Sequence, residues 1–264
     1  MMFALCIGVI LTLAMTVPRP VTTLKPLMDG IRDGHMVLLG MTKYGKTTLA
    51  RHLFLKDDLF DRRKNPVCIF LDTKHDDKLL DAGYYADTLV ELAYLIDNKY
   101  PRIVYRPPGT SERKTVLSDI IKMVFQYRSQ STHKSVPFAL FIDELQLYAG
   151  KQEKHEGLEM LSTTGAGKDI HGIFMAQRMQ DIHEQSLSQC DTTVCFFMKE
   201  QVSYLKKRGL EEISEWLPFL KQNPYFFAFE RVGTWQLHEP IPFGEQAQQQ
   251  DYSINPNDDD FFPM

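Results

Sequence analysis

The chain has no excess of positive charge. Its 30 Lys and Arg stand against 34 Asp and Glu, leaving a net charge of −4. No global basic field therefore marks it as a nucleic-acid binder, although a ring of subunits can line its pore with local Lys and Arg. The four cysteines, Cys6, Cys68, Cys190 and Cys195, form no C-x-x-C pair. That spacing argues against a thiolate metal site and for a reduced, intracellular compartment. No internal repeat is evident. At 264 residues, with 44% hydrophobic and 24% charged side chains, the chain has the make-up of one soluble α/β domain plus appendages.

What the sequence does have is Gly40-Met41-Thr42-Lys43-Tyr44-Gly45-Lys46-Thr47-Thr48, which fits the pattern G-x-x-x-x-G-K-[ST] at every fixed position. Before it, Met36-Val37-Leu38-Leu39 reads as a buried strand. After it, Leu49-Ala50-Arg51-His52-Leu53-Phe54 carries apolar residues at helical spacing. Gly40 and Gly45 let the backbone turn its N–H groups into one concavity, and the N-terminus of the following helix adds partial positive charge. Lys46 reaches the β- and γ-phosphates and the Thr47 hydroxyl ligates Mg²⁺. The expected ligands are ATP and Mg²⁺, with residues 40–48 as the nucleotide-binding loop.

Further apolar runs with turns between them predict a mainly parallel sheet covered by helices. Pro66–Leu71 is the second strand, ending in Asp72-Thr73-Lys74. Leu79–Tyr94 reads as helix, Arg102–Arg106 as a strand, Thr115–Tyr127 as an amphipathic helix and Ser129–Ser135 as a loop. Phe138-Ala139-Leu140-Phe141-Ile142 ends in two adjacent carboxylates, Asp143 and Glu144. Neighbours on a strand face opposite ways, so the two need not share a task. Asp143 is placed to hold the Mg²⁺ shell and Glu144 to take a proton from the attacking water. Ile170–Ala176 is a further strand ending at Gln177-Arg178. An amide there can bond the γ-phosphate or the water, which makes Gln177 the third catalytic candidate beside Lys46 and Glu144. Thr193–Met198 is another strand and Lys199–Leu210 a helix. Tyr225–Arg231 and Thr234–Leu237, joined by Val232-Gly233, form a β-hairpin.

The two ends differ from the rest. Residues 1–17 carry no charge and are almost wholly apolar. Seventeen residues is the short end of a bilayer span. A cleaved signal peptide is disfavoured, because no basic region precedes the apolar part. Three readings stand: a membrane segment, with Arg19 and Lys25 keeping the rest cytoplasmic, a buried element of the domain, or residues added by an upstream start codon. Residues 18–34 are a lead-in, 35–243 the ATPase domain, and 244–264 a Gln- and Asp-rich tail expected to be disordered.

With these motifs placed, the chain resembles the FtsK/HerA group of P-loop motor ATPases. The glycine loop, Asp72-Thr73-Lys74 after the second strand, Asp143-Glu144, and Ala176-Gln177-Arg178 carry the likeness. It implies an α/β RecA-like (ASCE) P-loop NTPase fold with a C-terminal β-hairpin. It also implies a ring homo-oligomer, with a hexamer expected, acting on double-stranded DNA. The group's trans-acting arginine falls at Ala166 here, so Lys168 or Arg178 is the candidate replacement. A core with so few additions is similar to the genome-packaging ATPases of internal-membrane viruses. This implies partners at a capsid vertex or membrane and a cytoplasmic-facing or virion-associated location. Alternatives are a conjugative coupling ATPase and a filamentous-phage-type assembly ATPase. Lys151, Lys154, Lys206, Lys207 and Arg208 are candidate DNA contacts.

Overall fold

The computed structural model describes residues 18–107, 113–150 and 155–241. Its elements in chain order are α1 (Lys25–Asp33), β1 (His35–Leu39), α2 (Lys46–Leu55), β2 (Val67–Leu71), β3 (Tyr84–Ala86), α3 (Leu89–Asp97), β4 (Arg102–Tyr105), α4 (Arg113–Ser129), β5 (Phe138–Ile142), α5 (Glu156–Met160), β6 (Ile170–Ala176), α6 (Glu184–Ser188), β7 (Cys190–Cys195), α7 (Val202–Lys207), α8 (Glu211–Gln222), β8 (Phe227–Arg231) and β9 (Thr234–His238).

Strands β1, β2, β4, β5 and β6 are buried at every position. A strand apolar on both faces needs cover on both faces, and parallel pairing through helical crossovers supplies it. The nine strands lie in the order β3-β4-β2-β5-β6-β1-β7-β8-β9. All neighbours from β3 to β7 pair parallel, and β8 pairs antiparallel with both β7 and β9. This is the expected fold class, a mainly parallel sheet with a C-terminal hairpin.

The alternation along each strand divides the core in two. Val37 and Leu39 face one cluster, with α3, α4, α5 and α8; Met36 and Leu38 face the other, with α1 and α2. Within the second cluster Phe54 of α2 meets Phe70 of β2 at 5.6 Å and Phe141 of β5 at 5.5 Å between ring centroids. Each such pair adds about 0.5–1.5 kcal/mol beyond area burial. The pairs fix the helix that follows the glycine loop to the two strands that end in Asp72 and Asp143.

The segment expected as one helix over Leu79–Tyr94 is three elements. A 3₁₀ turn over Asp77–Ala82 leads through extended Gly83 into β3, and α3 begins only at Leu89. Thr88 and Glu91 explain that start: each side chain accepts from the other's backbone N–H, a capping box. A π-helical turn over Leu161–Gly165 and a 3₁₀ turn over Ala166–Lys168 continue α5. Strand β7 begins at Cys190 and ends at Cys195, and the expected helix over Lys199–Leu210 shrinks to α7. In the lead-in, Val21 donates to Leu237 (2.8 Å) and accepts from Glu239 (3.0 Å), covering one end of edge strand β9. Among the described residues no helix is long and apolar enough to cross a membrane. The apolar segment 1–17 and the tail 244–264 lie outside the described residues.

Candidate active site

The loop after β1 is pinned at its root from both sides. Gly40 donates to Ala176 of β6 (3.2 Å) and Met41 donates to Phe197 beyond β7 (2.8 Å). Gly40 takes φ 148° and Gly45 φ 113°. At both positions a Cβ would meet Phe196, at 2.6 and 2.9 Å, so glycine is required sterically as well as conformationally. Tyr44 packs on Phe197 with centroids 5.0 Å apart, while Thr42 and Lys43 are exposed. Thr47 and Thr48 lie half-buried in the first turn of α2.

Lys46 is 4% exposed and folds back onto its own loop, donating to the Gly40 carbonyl and more weakly to Met41 (3.4 Å). Burial lowers its amine to about 8, with the Lys74 charge adding to the shift and Glu144 and Asp143 opposing it. The ammonium is thus held against two backbone carbonyls of the glycine loop.

Asp143 and Glu144 end β5 and are 1% and 2% exposed. Glu144 sits in the left-handed region at φ 49°, a conformation uncommon for a non-glycine residue and enriched at functional sites. Lys74, just past β2, joins the pair: its Nζ bonds the Glu144 carboxylate and lies 3.5 Å from Asp143 Oδ2. Gln146 also donates to Glu144, and Gln177, at the end of β6, lies 3.2 and 3.3 Å from its two oxygens. All three expected catalytic side chains are thus brought together in one crevice at the C-terminal ends of β1, β5 and β6.

The two carboxyls titrate in opposite directions. Burial raises Asp143 to about 6, only partly offset by Lys74. Burial also pushes Glu144 up, but hydrogen bonds from Lys74, Gln146 and Gln177 hold it below the usual carboxylate range. Burial tends to lower Lys74, yet the neighbouring carboxylates carry its amine above the ordinary value. At neutral pH the crevice holds Lys74 charged and Glu144 ionised. Asp143 Oδ1 is buried with no hydrogen-bond partner. An orphaned buried carboxylate oxygen is costly unless a cation takes it up, so the donor set fits Mg²⁺ held by Asp143 and Thr47.

Asp72 does not join this set. Its oxygens take Arg106 Nε (3.0 Å) and the Asp76 N–H (3.2 Å), bracing the ends of β2 and β4. Thr73 braces β5, its hydroxyl bridging the Asp143 carbonyl and the Tyr148 hydroxyl at 2.9 Å each.

Lys168 precedes β6 and Gln177 follows it, so Lys168 lies at the opposite end of the sheet from the crevice. Its amine sits over the Phe125 ring at 5.4 Å. Arg178 is 46% exposed and lies 3.9 Å from Glu200. Lys206 and Arg208 pair with Glu211 (2.7 Å) and Glu184 (2.6 Å), while Lys207 is exposed. Lys151 and Lys154 lie outside the described residues. The contacts of Lys74 and Gln146 with Glu144 are not foreseeable from the motifs. The available signal was Lys74, three residues past the end of β2, the neighbour of β5.

No protein-family model matches the chain, and no curated protein sequence matches it. Solved structures do. The genome packaging NTPase B204 from Sulfolobus turreted icosahedral virus 2, in complex with AMPPCP, matches with a TM-score of 0.66 at 20% identity. The match covers 80% of this chain and 99% of that one. The same NTPase with ATP-gammaS gives 0.63 at 21% identity over the same shares. The pCW3 conjugation coupling protein TcpA with ATPgS gives 0.50 at 11% identity, over 80% of this chain and 61% of that one. The chain therefore has the RecA-like fold of P-loop ATPases.

Proposed function

We propose that the protein is an ATP-hydrolysing motor that moves double-stranded DNA, working as a ring of identical subunits. The observation that carries this reading is the convergence of Lys46, Asp143, Glu144 and Gln177 beside a glycine loop pinned to β6 and β7. In this reading the loop N–H groups and Lys46 grip the triphosphate. Asp143 and Thr47 would hold magnesium, which would supply charge neutralisation for the phosphates. Glu144, already ionised, accepts the proton of the attacking water once its carboxylate is freed from Lys74. Gln177 links that carboxylate to the end of β6, so loss of the γ-phosphate changes what the amide bonds and reaches the strand.

Packaging of a viral genome into a preformed capsid is the finer reading, supported by the fold shared with B204 over nearly all of that chain's length. A hexameric ring, contacts at a capsid vertex and a virion-associated or cytoplasmic-facing site belong to it. The trans-acting charge is then Lys168 or Arg178. Conjugative coupling is the second reading, favoured by the likeness to TcpA.

Steady-state phosphate release tests the reading. Duplex DNA is expected to stimulate Mg-ATP hydrolysis, and Lys46→Ala to abolish turnover while keeping DNA binding. Absence of hydrolysis with every nucleic acid offered would overturn it.

A further inference from the structure

The nucleotide reading accounts for the phosphates but leaves the base unplaced. Beside the glycine loop lies a cleft lined by Gly45, Thr48, Leu49, Phe196, Tyr225 and Ile241, among others. Thr48 and Leu49 bring the first turn of α2 into its lining, next to the loop that would hold the polyphosphate. Tyr225 stands in the same lining, between α8 and β8. A Cβ on Gly45 would lie 3.0 Å from its Cδ1, so the ring rests against the loop's second glycine.

Two features set this tyrosine apart from an ordinary packing residue. Its φ is +74°, a left-handed conformation that is a genuine outlier for a bulky side chain. Its ring is half-buried, whereas Phe196 and Phe227 in the same cleft are 1% and 0% exposed. Strain of this kind persists where the surroundings hold a side chain in a required place. The cleft itself has room for about one water, near 10 Å³. A base therefore lies across its mouth rather than inside.

We propose that Tyr225 is the base platform of the nucleotide site, with a purine ring stacking on it between Thr48 and Ile241. This rests on the reading of residues 40–48 as the triphosphate loop. An aromatic face under a base accounts for a half-exposed ring next to the loop, and stacking needs no particular base edge.

The test compares ATP with inorganic tripolyphosphate, both with Mg²⁺, binding to the full chain. Tyr225→Ala is expected to weaken ATP about tenfold while leaving tripolyphosphate binding unchanged. Tyr225→Phe is expected to keep both. Tyr225→Gly removes the ring and also relieves the left-handed strain, so it serves if the alanine variant fails to fold. The proposal is overturned if ring removal leaves ATP affinity intact, if it weakens both ligands alike, or if both truncations unfold. Wild-type protein that binds neither ligand would instead count against the triphosphate loop itself.

Discussion

Lys74, past the end of β2, forms an ion pair with Glu144, past the end of β5, and lies 3.5 Å from Asp143 as well. The general base candidate is thereby kept ionised in a site whose burial favours the neutral acid. Removing Lys74 removes the largest opposing influence, so the Glu144 carboxyl rises. In Lys74→Ala the acid limb of the kcat/KM profile for ATP hydrolysis, which reports the free enzyme, is expected to move to higher pH. Activity then falls more at pH 6 than at pH 8, and Lys74→Arg restores the limb in part. An unshifted limb would remove Lys74 from this role.

Asp143 makes the opposite prediction for stability. Its folded value of about 6 lies above the ordinary 3.8. The stability this group contributes is fully present below the unfolded value and is lost as pH rises through about 6. Asp143→Asn escapes that loss. Without magnesium it is expected to melt higher than wild type at pH 7–8, by about 1–2 kcal/mol, with the gain fading toward pH 4. Magnesium is expected to stabilise only the wild type. Thermal melts across pH, with and without the metal, decide it.

Lys46 should report nucleotide binding as a proton. Burial holds its amine near 8, and a triphosphate favours the charged form. At pH 9 roughly nine-tenths of Lys46 is neutral, so binding is expected to take up nearly one proton, and almost none through Lys46 at pH 7. Calorimetry in two buffers of different ionisation enthalpy measures this. Equal uptake at both values would contradict the placement of Lys46 among the phosphates.

The hairpin turn offers a test of the fold alone. Val232 and Gly233 both have positive φ, 53° and 74°, as a type I′ turn requires. A β-branched residue is poorly suited to that region, and Val232 is 90% exposed. Val232→Asn is expected to raise stability by about 1 kcal/mol without altering hydrolysis, as urea unfolding would show.

Much of the site was legible because its chemistry is local in sequence. The loop at 40–48, the carboxylates closing β5 and the amide closing β6 each follow an apolar run that can only be a buried strand. Their convergence follows from parallel strand order. The Lys74–Glu144 pair was not legible, because it depends on β2 and β5 being neighbours. Strand β3 was missed for another reason. Tyr84-Tyr85-Ala86 is three residues long, half-covered, and made by pairing with β4 rather than by its own pattern. Lys168 followed from likeness to other chains, and the structure sets it at the far end of β6 from Gln177.

Movement along DNA is measured directly by displacement of a third strand from a duplex. With Mg-ATP the wild-type protein is expected to release a triplex-forming strand from double-stranded DNA. Lys46→Ala, and ATP replaced by a non-hydrolysable analogue, are expected to leave it bound. ATP hydrolysis stimulated by DNA, with no displacement above the Lys46→Ala background, would contradict the account.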